Sequence, residues 1–384
     1  MQKGTVIKMI YREFQGKQLS ALGLGAMRLP TIDGNDANIN GEAAREMVDY
    51  AMKKGVNYYD TAWGYHSGRS EIEIGKALSA YPRESYYLAT KFPGYDLSNM
   101  PKAAEIFEEQ LKKCGVDYFD FYLFHNVCEM NIDAYLDPKY KINEYLRAQR
   151  ESGRIRHLGF SAHGSCAVMR RFLEAYGDHM EFCQIQLNYL DFSFQDAKAK
   201  MELLAEYDIP VFVMEPLRGG RLAKLSEAEA APLHTLRPEE TAVGWAFRFI
   251  ETLPNVVVTL SGMSNMTQLK ENIAIFEEEK PLSAAEMATL LSVADGMLHG
   301  TLPCTACRYC VSHCPKGLNI PELLDLYNEH NFTGGGFIAP MALMAVPEEK
   351  HPTACVGCRS CEKVCPQQIK ISEAMKDFSA KLGH

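Results

Sequence analysis

Long apolar runs are missing from this 384-residue chain, and with them the usual signs of export or membrane residence. Met1–Arg12 carries lysines and an arginine but no apolar stretch of the kind a secretory signal requires. Ile338–Val346 is too short to cross a bilayer and is interrupted by Pro340. Basic blocks are missing as well: a formal charge of −9 is spread along the chain, which argues against nucleic acid or an anionic membrane as the principal partner. No glycine-rich dinucleotide fingerprint follows the first strand-like run, which argues against an open doubly wound sheet. These absences lead us to expect a cytoplasmic protein with no membrane and no nucleic-acid partner.

What is present is a globular composition, 47% hydrophobic and 23% charged, in a chain long enough for one large domain and a small one. Cysteine is abundant. Eight of the twelve cysteines fall in two runs, Cys304-x2-Cys307-x2-Cys310-x3-Cys314-Pro315 and Cys355-x2-Cys358-x2-Cys361-x3-Cys365-Pro366. Both match the bacterial ferredoxin spacing for a [4Fe-4S] cluster. Thiolates are soft ligands, and two-residue gaps let three sulfurs of one tight turn converge on a cubane while a fourth arrives from elsewhere. In the two-cluster arrangement the fourth cysteine of each run serves the other cluster. This pairs Cys304, Cys307 and Cys310 with Cys365, and Cys355, Cys358 and Cys361 with Cys314. Zinc sites also use C-x2-C pairs, but without the third cysteine at the same spacing or the trailing proline. Cys114, Cys128, Cys166 and Cys183 are scattered and read as small buried hydrophobes.

Upstream, β-branched and aromatic runs alternate with amphipathic helical stretches. Eight strands are expected, at Leu19–Met27, Asn57–Thr61, Tyr86–Phe92, Asp120–His125, His157–Ser161, Phe182–Asn188, Pro210–Glu215 and Val256–Ser261. Glu42–Lys54, Pro101–Cys114 and Ala284–Leu298 are among the expected helices. Eight strand–helix units predict an α/β fold, a closed parallel (β/α)8 TIM barrel over residues 1–298. A hairpin of Ile10–Phe14 and Gln18–Leu24 is expected to cap its floor. A small, partly helical two-cluster ferredoxin-like domain is expected over 299–384. There the apolar Phe337–Val346 serves either to dock on the barrel or to fill a core of the small domain itself.

Catalytic groups of such barrels sit at the carboxyl ends of the strands. Asp60-Thr-Ala-Trp-Gly-Tyr65, Thr90-Lys91 and Phe124-His125-Asn126 occupy three neighbouring ends. With Gly68-Arg-Ser-Glu71, Leu88-Ala-Thr-Lys91, Gly159-Phe-Ser161 and Cys183-Gln-Ile-Gln-Leu-Asn-Tyr189, the segment from residue 8 to 298 resembles the aldo-keto reductase family. The resemblance implies hydride transfer between NADP or NAD and a small-molecule carbonyl or alcohol, with Tyr65 as general acid. A phenol of ordinary pKa, about 10, needs a neighbouring cation for this work. Lys91 is that cation, held by Asp60, while His125 orients the substrate oxygen.

The same resemblance places Met27, Ser161, Gln184, Met214, Pro216, Leu217, Gly219, Gln268, Glu271 and Asn272 around the cofactor. Ser161 and Gln184 would meet the nicotinamide carboxamide, and Glu271 and Asn272 the adenine. The Leu217–Arg221 turn either contacts the pyrophosphate or is a plain glycine turn. Three departures from the family pattern stand out. Ala162 replaces an asparagine, Met214 an aromatic that stacks on the nicotinamide, and Gln268 a frequent arginine. Ser261–Met266 contains no Arg or Lys for a 2′-phosphate, so weak NADPH discrimination or NADH preference is expected. Trp63, Phe92 and Tyr95 are expected to line an apolar pocket above Tyr65, and the Val127–Lys141 loop is long enough to help close it.

A hydride carries two electrons and each cluster accepts one, so a direct relay between them lacks an intermediary such as a flavin, for which no motif is evident. Three readings follow. The protein is a carbonyl reductase whose clusters are structural or mark a docking surface, a reductase fed through the clusters by a redox protein, or an iron-sulfur electron-transfer adaptor without catalysis.

Overall fold

The computed structural model describes residues 8–298, 301–302, 304, 308, 310–365 and 367–383. It divides into two compact units, Met1–Ala294 and Asp295–His384. In the first, an antiparallel hairpin of β1 (Tyr11–Phe14) and β2 (Lys17–Ser20) precedes eight strands. These are β3 (Leu22–Gly25), β4 (Tyr58–Asp60), β5 (Tyr87–Phe92), β6 (Phe119–Val127), β7 (Ile155–Ala162), β8 (Cys183–Gln186), β9 (Val211–Met214) and β10 (Val256–Gly262). Each pairs in parallel with the next and β10 pairs with β3, closing the expected (β/α)8 barrel. β6 reads Phe-Asp-Phe-Tyr-Leu-Phe-His-Asn-Val and is buried almost throughout, as a strand with side chains on one face and helices on the other must be.

The first expected strand, Leu19–Met27, and the expected hairpin arm, Gln18–Leu24, overlap, and the structure separates them at Ala21. Its N–H still follows the hairpin register, donating to Ile10 O at 2.8 Å, while its carbonyl accepts the Thr259 N–H of β10 at 2.7 Å, so β2 ends at Ser20 and β3 starts at Leu22. Met27 accordingly lies in a 3-10 turn, Ala26–Arg28, rather than in a strand.

The hairpin closes the barrel floor. Phe14 and Leu19 enter a cluster with Tyr58, Phe121, Phe182, Phe212 and Leu260. Its rings meet edge-on or tilted, Phe182–Phe212 at 4.8 Å and Phe121–Phe182 at 5.1 Å. Burial of each such side chain contributes about 1.5–3 kcal/mol. Gly159 on β7 is required here, since a Cβ would press into both the ring and the carbonyl oxygen of Phe182. With the floor filled, only the carboxyl ends of the strands remain open for a site. The helix Gly41–Lys53 starts at Asn40, whose side chain accepts the Ala43 N–H, and buries Ala44, Met47, Val48 and Ala51.

The second unit has its own core. Helices Ile320–Thr333 and Ile371–Lys381 bring Leu323, Leu324, Met375 and Phe378 together with Leu318, Ile369, Cys310 and Cys361. Of the apolar Phe337–Val346, Ala339 and Leu343 enter this core, whereas Phe337 and Met344 are exposed. No described helix is long and apolar enough to cross a membrane.

Candidate active site and cluster cavity

Lysine at a barrel centre is costly unless its charge is matched. Lys91, at the end of β5, is 1% exposed, and its Nζ donates to Asp60 Oδ1 at 2.6 Å, to Thr61 O at 2.8 Å and to Tyr65 Oη at 3.5 Å. Burial by itself depresses this amine, but Asp60 and Tyr65 outweigh it and hold Lys91 above its usual range. Asp60 is engaged on both oxygens, because Gln184 Nε2 reaches across the barrel to Oδ2 at 2.7 Å. Behind the strand, Gln110 Nε2 donates to Lys91 O at 3.0 Å and to buried Glu71, which also accepts from Thr90 Oγ1.

Tyr65 lies in the turn after β4, its ring edge-on to His125 at 6.0 Å between centroids and 5.0 Å from Lys91 Nζ. Lys91 lowers the Tyr65 pKa, as expected, but does not set the net shift. Burial raises the phenol above its ordinary value, Lys91 offsets this in part, and Asp60 and Glu215 push it further up. His125 is driven well below its usual range by burial and by the charges of Lys91 and His163, so its ring is neutral near pH 7. Its Nδ1 is buried without a hydrogen-bond partner among the described residues, while its carbonyl is fixed by the Tyr135 hydroxyl at 2.8 Å.

Of the three expected pocket aromatics, Tyr95 reaches the site, its ring edge-on to His125 at 5.2 Å between centroids. Its hydroxyl is seated where a side chain on Gly64 would be. Phe92 does not line the pocket. It alternates with Lys91 along β5, faces the outer layer and packs on Tyr135 at 6.3 Å. Trp63 is covered by Lys113 Nζ at 3.5 Å, against the outer helix Ala103–Cys114.

The residues assigned to the cofactor by resemblance gather at the same end of the barrel. Ser161 Oγ accepts the Asn126 N–H at 2.8 Å, and Met214 ends β9. Pro216, Leu217 and Gly219 form the following turn, with Met27 exposed after β3. Gln268 Oε1 accepts the Ser264 N–H at 2.8 Å, Glu271 accepts from Thr241 Oγ1 at 3.5 Å, and buried Asn272 donates to Ser261 Oγ at 2.9 Å.

Two supports were not singled out in the sequence. Fully buried Asp191 accepts from Gln186 Nε2 at 2.8 Å, Asn188 Nδ2 at 2.6 Å and Arg218 Nε at 2.9 Å, which locks the turn after β9 in place. The Gln186-x-Asn188 pair was visible, but its acceptor three residues on was not. Removing one partner of a buried pair strands the other charge. Asp191→Ala is expected to lower stability by about 3–5 kcal/mol, read as a lower denaturant midpoint at unchanged slope. His66 is the second support. Its Nε2 accepts the Leu29 N–H at 3.0 Å, which leaves Nδ1 to donate to Asp36 O at 2.8 Å and ties the loop after β3 to the Tyr65 turn.

In the second unit, Cys314, Cys355, Cys358 and Cys361 line one cavity of ≈ 340 Å³, counted with its open mouth, walled by Leu318, Ile320, Ile371 and Met375. Cys314 thus stands with the second run and not with its own. Among the described residues no three His, Cys, Asp or Glu side chains converge as they would on a single metal ion. Sulfurs spread around an apolar chamber suit a multi-atom cluster better than one zinc ion. For the other set, Cys304, Cys310 and Cys365 pack on the core of this unit, and Cys307 lies outside the described residues. The two runs fold alike: Arg308 and Arg359 have φ of +64° and +58°, and Cys310 and Cys361 each begin a 3-10 turn.

Residues 21–295 match the aldo/keto reductase family. The chain belongs to that family. Residues 303–370 match a 4Fe-4S dicluster domain, so this member carries iron-sulfur ligands after its barrel. An aldo-keto reductase of Mycolicibacterium smegmatis is 28% identical over 298 residues, 76% of this chain and 95% of that protein. The NADH-specific methylglyoxal reductase of Escherichia coli is 26% identical over 221 residues, 53% of this chain and 65% of that one. Among solved structures, the holo form of an aldo-keto reductase from Bacillus halodurans is similar with a TM-score of 0.61 at 25% identity, covering 74% of this chain and 96% of that one. The protein is therefore an oxidoreductase of this family.

Proposed function

We propose that the barrel reduces an aldehyde or ketone to an alcohol with NADH or NADPH, and that the second unit holds two [4Fe-4S] clusters. The observation that carries the first part is Lys91 Nζ, placed among Asp60, Thr61 O and Tyr65 Oη with a neutral His125 opposite. The nicotinamide, when bound, supplies the hydride. Tyr65 gives its proton to the carbonyl oxygen, and the Lys91 charge stabilises the phenolate left behind. Asp60 and Gln184 keep Lys91 aimed, and neutral His125 hydrogen-bonds the substrate oxygen without competing for the proton.

A raised phenol pKa suits a donor, because the proton is present at every working pH. Tyr65 loses its proton only above its ordinary value of about 10, and His125 gains one only well below its ordinary value of about 6.5. kcat/KM is therefore expected to be flat from about pH 6.5 to 9. A break near pH 6.5 that His125→Asn removes would contradict the neutral imidazole.

Gln268 is bonded to Ser264, and no Arg or Lys lies in 261–266, so the 2′-phosphate finds no guanidinium fork there. NADPH is expected to exceed NADH in kcat/KM by less than about tenfold, a difference of 1.4 kcal/mol. An advantage larger than that would refute the assignment. Methylglyoxal, named for the Escherichia coli relative, is the first substrate to assay.

A second reading, electron entry through the clusters from a redox protein, is favoured by one observation: two residues lining the cavity, Cys358 and Val356, are exposed, the latter at 59%. Carbonyl reduction that needs reduced ferredoxin and ignores nicotinamide would establish it. Thiolate-ligated clusters suit a reducing compartment, and we place the protein in the cytoplasm on that ground.

A further inference from the structure

At the carboxyl end of the barrel one carboxylate occupies a backbone amide of the turn after β9. Glu215 follows β9 with its backbone in the left-handed region, φ +55°, and its Oε2 accepts the Gly219 N–H at 2.6 Å. Its Oε1 lies 3.8 Å from Arg28 Nη2. Arg28 packs closely over Gly262. A Cβ there would lie 3.2–3.3 Å from Arg28 Cβ, Cγ and Cδ, and one on Gly219 would lie 3.3 Å from Nη2. The Arg28 stem thus runs along the end of β10 and its head stops over the turn after β9. At 3.8 Å the pair is an attraction without a hydrogen bond, and the Arg28 side chain stays 43% exposed. The turn itself is held by the buried Arg218–Asp191 pair, so its amides keep their direction whatever occupies them.

Resting on the nicotinamide reading above, we propose that Glu215 is a built-in anion that occupies the phosphate seat of the Pro216–Gly220 turn and sets the affinity for the dinucleotide. One N–H cannot serve a carboxylate and a phosphate oxygen together, and two anions in one seat repel. Binding is therefore an exchange: the diphosphate takes the Gly219 N–H, Glu215 swings out, and Arg28 trades a distant carboxylate for a phosphate oxygen. Part of the gross binding energy is spent on displacing Glu215, so its charge holds affinity down.

The test is anaerobic titration of the full-length protein with NADH, followed by quenching of protein fluorescence, in wild type, Glu215→Gln and Glu215→Gly. Glutamine keeps the shape without the charge. Glycine suits the left-handed backbone and guards against a misfolded glutamine variant. Both are expected to bind NADH about three- to tenfold more tightly than wild type, and inorganic pyrophosphate should compete more strongly in both. Unchanged or weaker binding in the two variants overturns the proposal while leaving the nicotinamide reading intact. A wild type that saturates with neither NADH nor NADPH overturns both.

Discussion

Tyr65→Phe will lower kcat/KM for carbonyl reduction by about 10²–10⁴-fold while leaving dinucleotide affinity unchanged. The substitution removes one oxygen atom and keeps the ring, so the edge-on contact with His125 and the approach of Lys91 to the ring face survive. Lys91 is not stranded, because Asp60 Oδ1 and Thr61 O still accept from it at 2.6 and 2.8 Å. What is lost is the hydroxyl that Lys91 touches, and with it the proton for the nascent alkoxide. Lys91→Met should be equally inactive but less stable, since it leaves the buried carboxylate of Asp60 to Gln184 alone. A Tyr65→Phe enzyme retaining more than about a tenth of wild-type kcat/KM would remove Tyr65 from the role of acid.

Iron content provides the second large effect. Anaerobically purified protein is expected to contain about eight iron and eight sulfide per chain, four of each per cluster. Cys361→Ser should reduce both to about four, because Cys361 stands with Cys355, Cys358 and Cys314 around one chamber. The cross-run pairing makes a sharper demand. Cys314 belongs by sequence to the first run but by position to the second. Cys314→Ser combined with Cys361→Ser should therefore still leave about four iron, as two lesions in one cluster, whereas Cys314→Ser with Cys310→Ser should leave almost none. Four iron in the second double variant and none in the first would reverse the pairing. Cys361 is 7% exposed among Leu318, Ile371 and Met375, so cluster loss should also lower the melting temperature of this unit.

The eight barrel strands were legible because a parallel strand buried on both faces must be apolar or aromatic nearly throughout, and few other segments are. Their ends were less legible. Nothing in Gln18–Leu24 marks Ala21 as the break between hairpin and barrel, which depends on a hydrogen bond from Thr259, a residue distant in the chain, to the Ala21 carbonyl. Asp60, Tyr65, Lys91 and His125 could be placed at strand ends from the sequence, but their electrostatics could not, because burial of Tyr65 outweighs the Lys91 charge and only the packed structure reports burial. Phe92 was misplaced for a local reason: beside Lys91 in sequence, it faces the other side of the strand. Arg28 and Glu215 were missed because the contact joins the ends of β3 and β9, residues distant in the chain. The cysteine runs were legible in the sequence because ligand spacing is local, and Cys314, Cys355, Cys358 and Cys361 line one cavity in the structure.

The central claim is that this barrel transfers a hydride from a nicotinamide to a carbonyl without electrons from outside. Its most direct test is an anaerobic assay with NADH or NADPH as sole reductant and methylglyoxal and other small carbonyls as acceptors, run beside Tyr65→Phe. The expected result is one alcohol formed per dinucleotide oxidised, lost in the variant. The contradicting result is no turnover with nicotinamide alone and turnover that appears, with or without Tyr65, only when a one-electron donor reduces the clusters.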